Sequence, residues 1–278
     1  MTEATPSQTA LGVARRRALH QMLDDPIVFE DPLAVRILVD IANLENCGNS
    51  YRLPSLRAFV AARSRFAEDQ LAQAFSAGVH QYVILGAGLD TFAYRNPFAP
   101  DLRVFEIDHR ATQGWKRAQL SRAGIQVPDS VSFIPLDFDH QTLADVLQST
   151  PAFDLRRPKF FAMLGVTQYL TLEALLTVLK YVSSLPSMSG IAFDYTVALN
   201  KLNLIERLYV ELLAARVAKL GEPFRLFLDP DELAATLRSL GFSWVEDLDA
   251  SAINSRYFHN RADQLQVGRA GRLLFARV

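Results

Sequence analysis

The strongest chemical signal in the chain is a glycine turn that is followed, one strand later, by a carboxylate. Residues 82–85 are an apolar run that stops at Gly86-Ala87-Gly88, and a second apolar run, 103–107, ends at Asp108. Short apolar runs that end in glycine predict buried parallel strands entering tight turns, where the backbone can approach a ligand closely. Because an acid after the next strand can accept hydrogen bonds from ribose hydroxyls, the pattern predicts a nucleoside cofactor.

Two residues beside the turn bear on which nucleoside is bound. Thr91 occupies the third glycine position of the dinucleotide fingerprint G-x-G-x-x-G, where glycine permits close packing of helix on strand. Asp90 would repel a pyrophosphate, which prefers an uncompensated helix N-terminus. S-adenosylmethionine has no phosphate and carries an ammonium and a sulfonium, so the residues favour it over a nicotinamide dinucleotide.

An open α/β sheet is needed to bring these residues together. Strands alternating with helices predict a doubly wound, mainly parallel sheet of seven strands. No helix is predicted between the last two strands, which we expect to pair antiparallel at the edge. The predicted strands cover 82–85, 103–107, 131–135, 159–163, 191–195, 243–246 and 272–278, and the predicted helices between them cover 111–123, 141–148, 172–183 and 230–240.

Helical patterns precede and interrupt this sheet. Apolar spacing predicts helices over 10–23 and 55–76, and a further helix that begins at Asp31, as the cap, and Pro32. Residues 197–220 predict an inserted helix that covers the strand ends as a lid. We therefore expect one domain over 1–278, made of a helical cap (1–78), a cofactor-binding core (79–196), a helical insertion (197–229) and the end of the core (230–278).

Composition restricts the classes of function. The chain has 278 residues and a net charge of −1, from 29 basic and 30 acidic residues, which argues against a nucleic-acid-binding surface. A single cysteine, Cys47, excludes an internal disulfide and a cysteine-based metal cluster, and it fits a reducing cytoplasm. No run approaches the roughly 20 apolar residues that span a membrane, and the polar N-terminus lacks a secretory signal. We expect a cytoplasmic protein without a bound metal that acts on a small molecule, as a monomer or a homodimer.

Five motifs, in this order, make the interpretation more specific. LGAGLDTFAYR, VFEIDH, PLDF, LGVTQYLT and FDY resemble the leucine carboxyl methyltransferase family of S-adenosylmethionine-dependent enzymes. The resemblance extends over roughly 17–195 and includes EDPLA near Asp31 and AARSRFAED around Arg63. It implies a class I methyltransferase of Rossmann-like fold, with the last strand antiparallel. The family contains enzymes that methylate a protein C-terminal carboxylate and bacterial enzymes that methylate small molecules.

The cofactor-binding residues are predicted from both arguments. Gly86, Ala87 and Gly88 would line the methionine part of the cofactor beside Asp90, and Asp108 would hold the ribose hydroxyls. Glu106 lies on the same face of the strand and could share that role or support an N-terminal arginine from within the core. The resemblance further implies that Asp137 accepts from the adenine amino group, that Phe138 lies beside the ring, and that Arg63 lies near the cofactor carboxylate. Arg17 could contact a further anion or be a surface charge, and Lys116 is expected to be solvated.

The substrate side is predicted from the fourth and fifth strand ends. The protein-carboxyl methyltransferases carry a glutamate where this chain has Leu164, which favours the small-molecule branch and leaves Leu164 beside the cofactor. Tyr169 matches the family, and its hydroxyl could donate to a substrate oxygen or be a core hydroxyl, so Tyr169 and Arg63 are the catalytic candidates. Asp194 and Tyr195 end the next strand and are expected to face the same cleft, in a functional or a structural role.

The chemistry of methyl transfer indicates which functional group of the substrate accepts the methyl group. Methyl transfer from a sulfonium is an in-line displacement that requires the acceptor oxygen about 3 Å from the methyl carbon. A carboxylic acid with a pKa of about 4 is already ionised at neutral pH, whereas a phenol or an alcohol requires a general base. The sequence offers no clear base and so favours a carboxyl acceptor. A hydroxyl acceptor and a non-catalytic cofactor-binding protein stay open at this stage.

Overall fold

The computed structural model describes residues 7–38, 53–136 and 141–278, and its centre is a seven-stranded sheet. The strands lie in the order β3-β2-β1-β4-β5-β7-β6. Only β7 is antiparallel to its neighbours, and the remaining pairs are parallel. The predicted sheet is thus confirmed. Its members are β1 Gln81–Leu85, β2 Arg103–Asp108, β3 Val131–Pro135, β4 Phe160–Met163, β5 Gly190–Thr196, β6 Trp244–Leu248 and β7 Gly271–Arg277.

Eight α-helices are found in the described ranges, and side-chain caps mark where several begin. Asn203 and Glu206 form a reciprocal capping box at the start of the inserted helix α6, and Asp229 followed by Pro230 begins α7. The helices are α1 Gln8–Leu23, α2 Pro54–Ser76, α3 Arg110–Arg122, α4 Leu143–Gln148, α5 Leu172–Ser183, α6 Leu204–Ala218, α7 Pro230–Ser239 and α8 Ala250–Tyr257. None of the helices in the described ranges is long and apolar enough to cross a bilayer.

The central strands are mostly apolar because helices cover both faces of the sheet. Along β1, Val83 and Leu85 pack in the cluster that contains α5 and α7, whereas Tyr82 and Ile84 pack in the cluster that contains α2 and α8. Consecutive strand residues point to opposite faces, so an uninterrupted apolar run is what a doubly covered strand requires. Because β1 to β5 run parallel, their carboxyl ends lie at the same edge of the sheet.

Two predicted elements differ from the structure. The stretch between β6 and β7 contains α8, so the expectation of no helix there is wrong, although the antiparallel pairing of the two strands is confirmed. The helix is only eight residues long and half of its residues are polar, and its clearest start signal is Asp249, whose side chain accepts from the Ala252 N–H. Residues after Asp31 form turns and a short 3₁₀-helix over Arg36–Leu38, and the rest of the predicted helix lies outside the described residues.

Candidate active site

The predicted site residues converge on a cavity of about 200 Å³ at the carboxyl edge of the sheet, which we call the glycine-turn cavity. The ends of β1, β2 and β4 supply its floor, and α1 and α2 close its sides. The predicted residues that line it are Arg17, Arg63, Gly86, Ala87, Gly88, Asp90, Asp108, Leu164 and Tyr169. Asp137 and Phe138 lie outside the described residues, so their roles stay predictions.

The turn itself depends on glycine. Gly86 has a φ of +67°, and a Cβ at this position would lie 2.4 Å from Cγ2 of Val166, so a side chain has neither the backbone conformation nor the space. The N–H groups of Gly86 and Ala87 donate to the Ile107 carbonyl at 2.8 and 3.2 Å, which ties the turn to β2. The turn is therefore fixed against β2, and the absence of a side chain at Gly86 lets a ligand in the cavity approach the backbone closely.

Asp108 faces the turn from the end of β2. Its Oδ2 accepts from the Gly88 N–H at 2.6 Å, and its Oδ1 accepts from the His109 N–H at 2.7 Å. Burial raises the pKa of Asp108, although these two N–H groups and Lys116 act in the opposite direction. An ionised carboxylate can accept about four hydrogen bonds, so each oxygen keeps capacity for a ribose hydroxyl.

Glu106 lies deeper on the same face of β2 and does not line the cavity. Its carboxylate is fully buried, 2.7 Å from Nζ of Lys116, and it accepts from the Tyr94 hydroxyl at 3.1 Å. Burial raises the pKa of Glu106, and the Lys116 ammonium opposes that shift. The expectation of a solvated Lys116 is wrong, because its side chain is 1% exposed. Lys116, rather than an N-terminal arginine, is the buried cation that pairs with Glu106.

Arg17 joins helix α1 to the glycine turn. Its Nη2 donates to the Leu89 carbonyl, its Nε lies 2.8 Å from Oδ2 of Asp31, and its Nη1 lies 3.6 Å from Oδ2 of Asp90. Burial would raise the pKa of Asp90, but Arg17, Lys116 and Arg95 hold it below its usual range. Arg17 is therefore buried among acids of the protein, and the surface-charge interpretation is wrong.

Thr91 takes the third fingerprint position for a structural reason. Its hydroxyl donates to Oδ2 of the fully buried Asp31 at 2.6 Å. A glycine would leave this carboxylate with one donor fewer inside the protein, which costs free energy. Threonine replaces the third glycine of the fingerprint because its hydroxyl binds the N-terminal segment at Asp31.

Arg63 is fixed by Asp194 and by a glycine that the sequence did not single out. Its Nη1 donates to Oδ2 of Asp194 at 3.1 Å, while Oδ1 of Asp194 accepts from the Gly165 N–H at 2.6 Å. Gly165 has a φ of +71°, and a Cβ there would lie 2.7 and 2.8 Å from two guanidinium nitrogens of Arg63. The guanidinium rests on bare backbone. The only sequence signal for this was a glycine directly after Leu164 at a strand end.

Asp194 and Tyr195 do not face the same cleft, contrary to expectation. Asp194 points to the site, whereas the Tyr195 hydroxyl donates to Oδ2 of Asp247 at 2.7 Å and its ring packs in the core. Successive residues of a strand point to opposite faces of the sheet, so only one of the two can reach the site.

A second, more apolar cavity of about 330 Å³ lies beside the first, and we call it the apolar cavity. It is bounded by α2, by α6 of the predicted insertion, and by the segment that precedes β7. Arg63 and Gln168 line both cavities. Its apolar lining comes chiefly from Leu56, Phe59, Ile205, Tyr209, Val210, Leu213 and Phe224.

Gln168 lines both cavities, and the next residue, Tyr169, lines the glycine-turn cavity. Gln168 was missed as a site residue, although it immediately precedes Tyr169 in the quoted LGVTQYLT motif; its carbonyl accepts from the Arg225 N–H at 2.7 Å. Burial raises the pKa of the Tyr169 hydroxyl, which is therefore a hydrogen-bond donor at neutral pH. Its ring contacts Phe224 at 5.5 Å between centroids. Among the described residues, no cluster of three or more His, Cys, Asp or Glu could hold a metal ion.

Comparison with known proteins identifies the family. The family model of leucine carboxyl methyltransferases matches residues 10–183. The chain belongs to this family. A Bacillus subtilis (strain 168) protein named "Putative S-adenosyl-L-methionine-dependent methyltransferase YktD" is 32% identical, over 95% of this chain and 95% of its own length. A similarly named Mycobacterium tuberculosis (strain ATCC 25177 / H37Ra) protein is 34% identical over 183 residues, 60% of this chain and 57% of the relative.

Two solved structures share the fold. The crystal structure of "a putative methyltransferase" from Thermobifida fusca YX superposes with a TM-score of 0.62 at 19% identity, covering 99% of this chain and 96% of its own. A "duf574 family protein" from Streptomyces avermitilis has a TM-score of 0.56 at 19% identity, with 95% and 96% covered. The sheet order and these likenesses show the Rossmann-like class I methyltransferase fold.

The chain is thus an S-adenosylmethionine-dependent methyltransferase, and the glycine-turn cavity fits that cofactor. Asp108 has acceptor capacity left for ribose, and the bare turn at Gly86 leaves room for the ligand. Asp90, held ionised beside the turn, suits a cationic donor and would repel a pyrophosphate.

Proposed function

We propose that this methyltransferase transfers the methyl group to a carboxyl oxygen of a small molecule. The observation that carries the proposal is the meeting of a polar cavity that suits the cofactor with an apolar cavity, across the shared residues Arg63 and Gln168. Displacement at a sulfonium requires the donor and the acceptor to be aligned across such a boundary.

In the first cavity, the residues of the chain bind and orient the donor. Asp108 accepts from the ribose hydroxyls, Gly86–Gly88 line the methionine part, and Leu164 packs beside it. Arg63 would donate to the carboxylate of the cofactor, as the family resemblance implies. Bound S-adenosylmethionine supplies an electrophilic methyl group on a cationic sulfur.

The acceptor chemistry follows from the groups around the boundary. Among the described residues, no histidine lines either cavity. The acids that line the apolar cavity already have partners, Asp194 with Arg63 and Glu206 with Asn203 and Arg269, and so does Glu222 of the glycine-turn cavity, with Ser7 and Thr9. A phenol or an alcohol would need a base, whereas a carboxylate is ionised at neutral pH and needs only positioning. The protonated Tyr169 hydroxyl, which lines the glycine-turn cavity, would donate to an acceptor oxygen that reaches into that cavity.

The size of the acceptor follows from the second cavity and from Leu164. The apolar lining suits the body of a small molecule, and Leu164 stands where the protein-carboxyl methyltransferases have a glutamate. We infer a small-molecule acceptor and no nucleic-acid or membrane partner, for a monomer or a homodimer. We also infer action in a reducing cytoplasm, which the single cysteine, Cys47, supports.

The test is transfer of a tritiated methyl group from S-adenosylmethionine to panels of carboxylic acids and of phenols. Methyl esters release volatile labelled methanol in alkali, whereas methyl ethers do not. We expect base-labile label, and a rate under saturating ligands that stays level between about pH 6 and about pH 8. Base-stable label, or a steep rise in rate over that range, would show a hydroxyl acceptor. No labelled product from any acceptor would favour a cofactor-binding protein without catalysis.

A further inference from the structure

The shape and the charge of the apolar cavity specify the acceptor further, and this inference rests on the proposed function. We propose that the acceptor is an amphipathic carboxylic acid whose carboxylate lies at Arg63 and whose extended apolar body fills the cavity and reaches Ile205 at its mouth. Arg63, Gln168 and Asp194 line the cavity at the end shared with the glycine-turn cavity, and apolar side chains of α2 and α6 line the rest, together with Tyr209 and the ion pair between Glu206 and Arg269.

The inner end of the cavity can hold a carboxylate. Arg63 is buried, with 6% of its surface exposed, and among the described residues its guanidinium donates one hydrogen bond, to Asp194. A guanidinium has five N–H donors, so donors remain for a carboxylate that enters either cavity, beside the Asp194 carboxylate that lines the apolar cavity with Arg63. Gln168 adds a neutral side-chain amide at the same wall.

The walls of the cavity are mainly apolar, and they include the buried Tyr209 hydroxyl, which has no hydrogen-bond partner among the described residues. Phe59 from α2, Val210 and Leu213 from α6, and Phe224 from the segment after α6 form its walls. Burying a methylene group against such walls is worth about 0.8 kcal/mol, which corresponds to about fourfold in affinity. The affinity of a substrate that binds here therefore increases with the length of its apolar chain.

The mouth of the cavity combines exposed apolar side chains of α6 with one ion pair. Ile205 lines the cavity and is 81% exposed, and Leu208 and Leu212 are exposed further along α6. Exposed apolar patches mark ligand-binding grooves as well as protein and membrane interaction sites, and here the patch is continuous with the lining of a cavity. The ion pair between Arg269 Nε and Glu206 Oε1, at 3.6 Å, flanks this exit. The apolar path therefore continues from the guanidinium to the surface.

A length series of straight-chain acids tests the proposal. Butanoate to hexadecanoate, each below its micellar concentration, would be titrated calorimetrically into the full chain saturated with S-adenosylhomocysteine. We expect the dissociation constant to fall about fourfold for each added methylene until the chain reaches Ile205, and then to level off. Ile205→Ser should weaken the binding of long acids and leave short acids unchanged.

Leu204 provides the matched control. It is also 81% exposed and adjacent on α6, but it does not line the cavity, so Leu204→Ser should bind every acid as the parent protein does. Equal affinity across the series, or equal effects of Ile205→Ser and Leu204→Ser, would overturn the amphipathic acceptor. Base-labile methylation of short or polar acids would then still support the proposed carboxyl transfer. Base-stable product would refute the transfer itself, whatever the length series showed.

Discussion

Replacing Gly165 by alanine tests whether the orientation of Arg63 controls cofactor affinity. The left-handed backbone at Gly165 costs an alanine about 1–2 kcal/mol. Its Cβ, 2.7 and 2.8 Å from two guanidinium nitrogens, would also force Arg63 to move. A hydrogen bond to a charged group is worth about 1.5–3 kcal/mol, so we expect S-adenosylhomocysteine to bind about tenfold to a hundredfold more weakly.

Gly124→Ala separates the two effects. Gly124 has a φ of +62°, but no atom lies within 4 Å of a Cβ built there, so this variant carries the backbone cost without moving Arg63. Calorimetric titration would use S-adenosylhomocysteine and 5′-methylthioadenosine, which lacks the amino-acid carboxylate. Gly165→Ala should lose affinity only for the former, and Gly124→Ala for neither. The same affinity loss for both ligands, or none for either, would refute the contact between Arg63 and the cofactor carboxylate.

Three further outcomes are expected. Asp108→Asn should weaken both S-adenosylhomocysteine and 5′-methylthioadenosine about tenfold in the same titration, because the amide replaces an acceptor oxygen with a donor; unchanged binding of 5′-methylthioadenosine would argue against ribose contact. Lys116→Met should lower the free energy of unfolding in urea by about 3–5 kcal/mol, because it leaves the Glu106 carboxylate buried without its cation. Adding Glu106→Gln should recover part of that loss, and strictly additive losses would show that the pair does not interact. Burial lowers the pKa of Lys159 from 10.5 to about 8, so between these values the unfolded chain binds more protons than the folded one. The free energy of unfolding of the parent protein, measured relative to Lys159→Met, should therefore rise with pH across that window, and a constant difference would contradict the shift.

The sheet was predictable because doubly covered strands have a distinctive composition. β1, β4 and β5 are continuous apolar runs with glycine or polar residues at their ends, and their observed bounds lie within a residue or so of the predicted ones. Helix α8 was missed because it has only eight residues, half of them polar, so the apolar residues at helical spacing, Ala250, Ile253 and Tyr257, are too few for a helical period to stand out. Its existence depends on tertiary packing of Ile253, which is fully buried in the core.

The site was predictable to the extent that it lies at strand ends. Asp108 and the glycine turn follow adjacent parallel strands, and topology alone brings such positions to one edge. Pairings between distant elements were not predictable. Lys116 contacts Glu106 because α3 packs on the sheet. Gly165 has to be a glycine because α2 places the Arg63 guanidinium directly above it. Neither periodicity nor spacing in the sequence encodes these contacts.

The position of β7 affects local unfolding at the edge of the sheet formed by β7 and β6. β7 lies between β5 and β6, and in the described structure β6 pairs with no other strand. The amide protons of β6 that are bonded in the sheet are therefore protected from deuterium exchange only while β7 is in place. The two strands should lose that protection as one cooperative unit, with a shared opening free energy, even though β6 comes first along the chain.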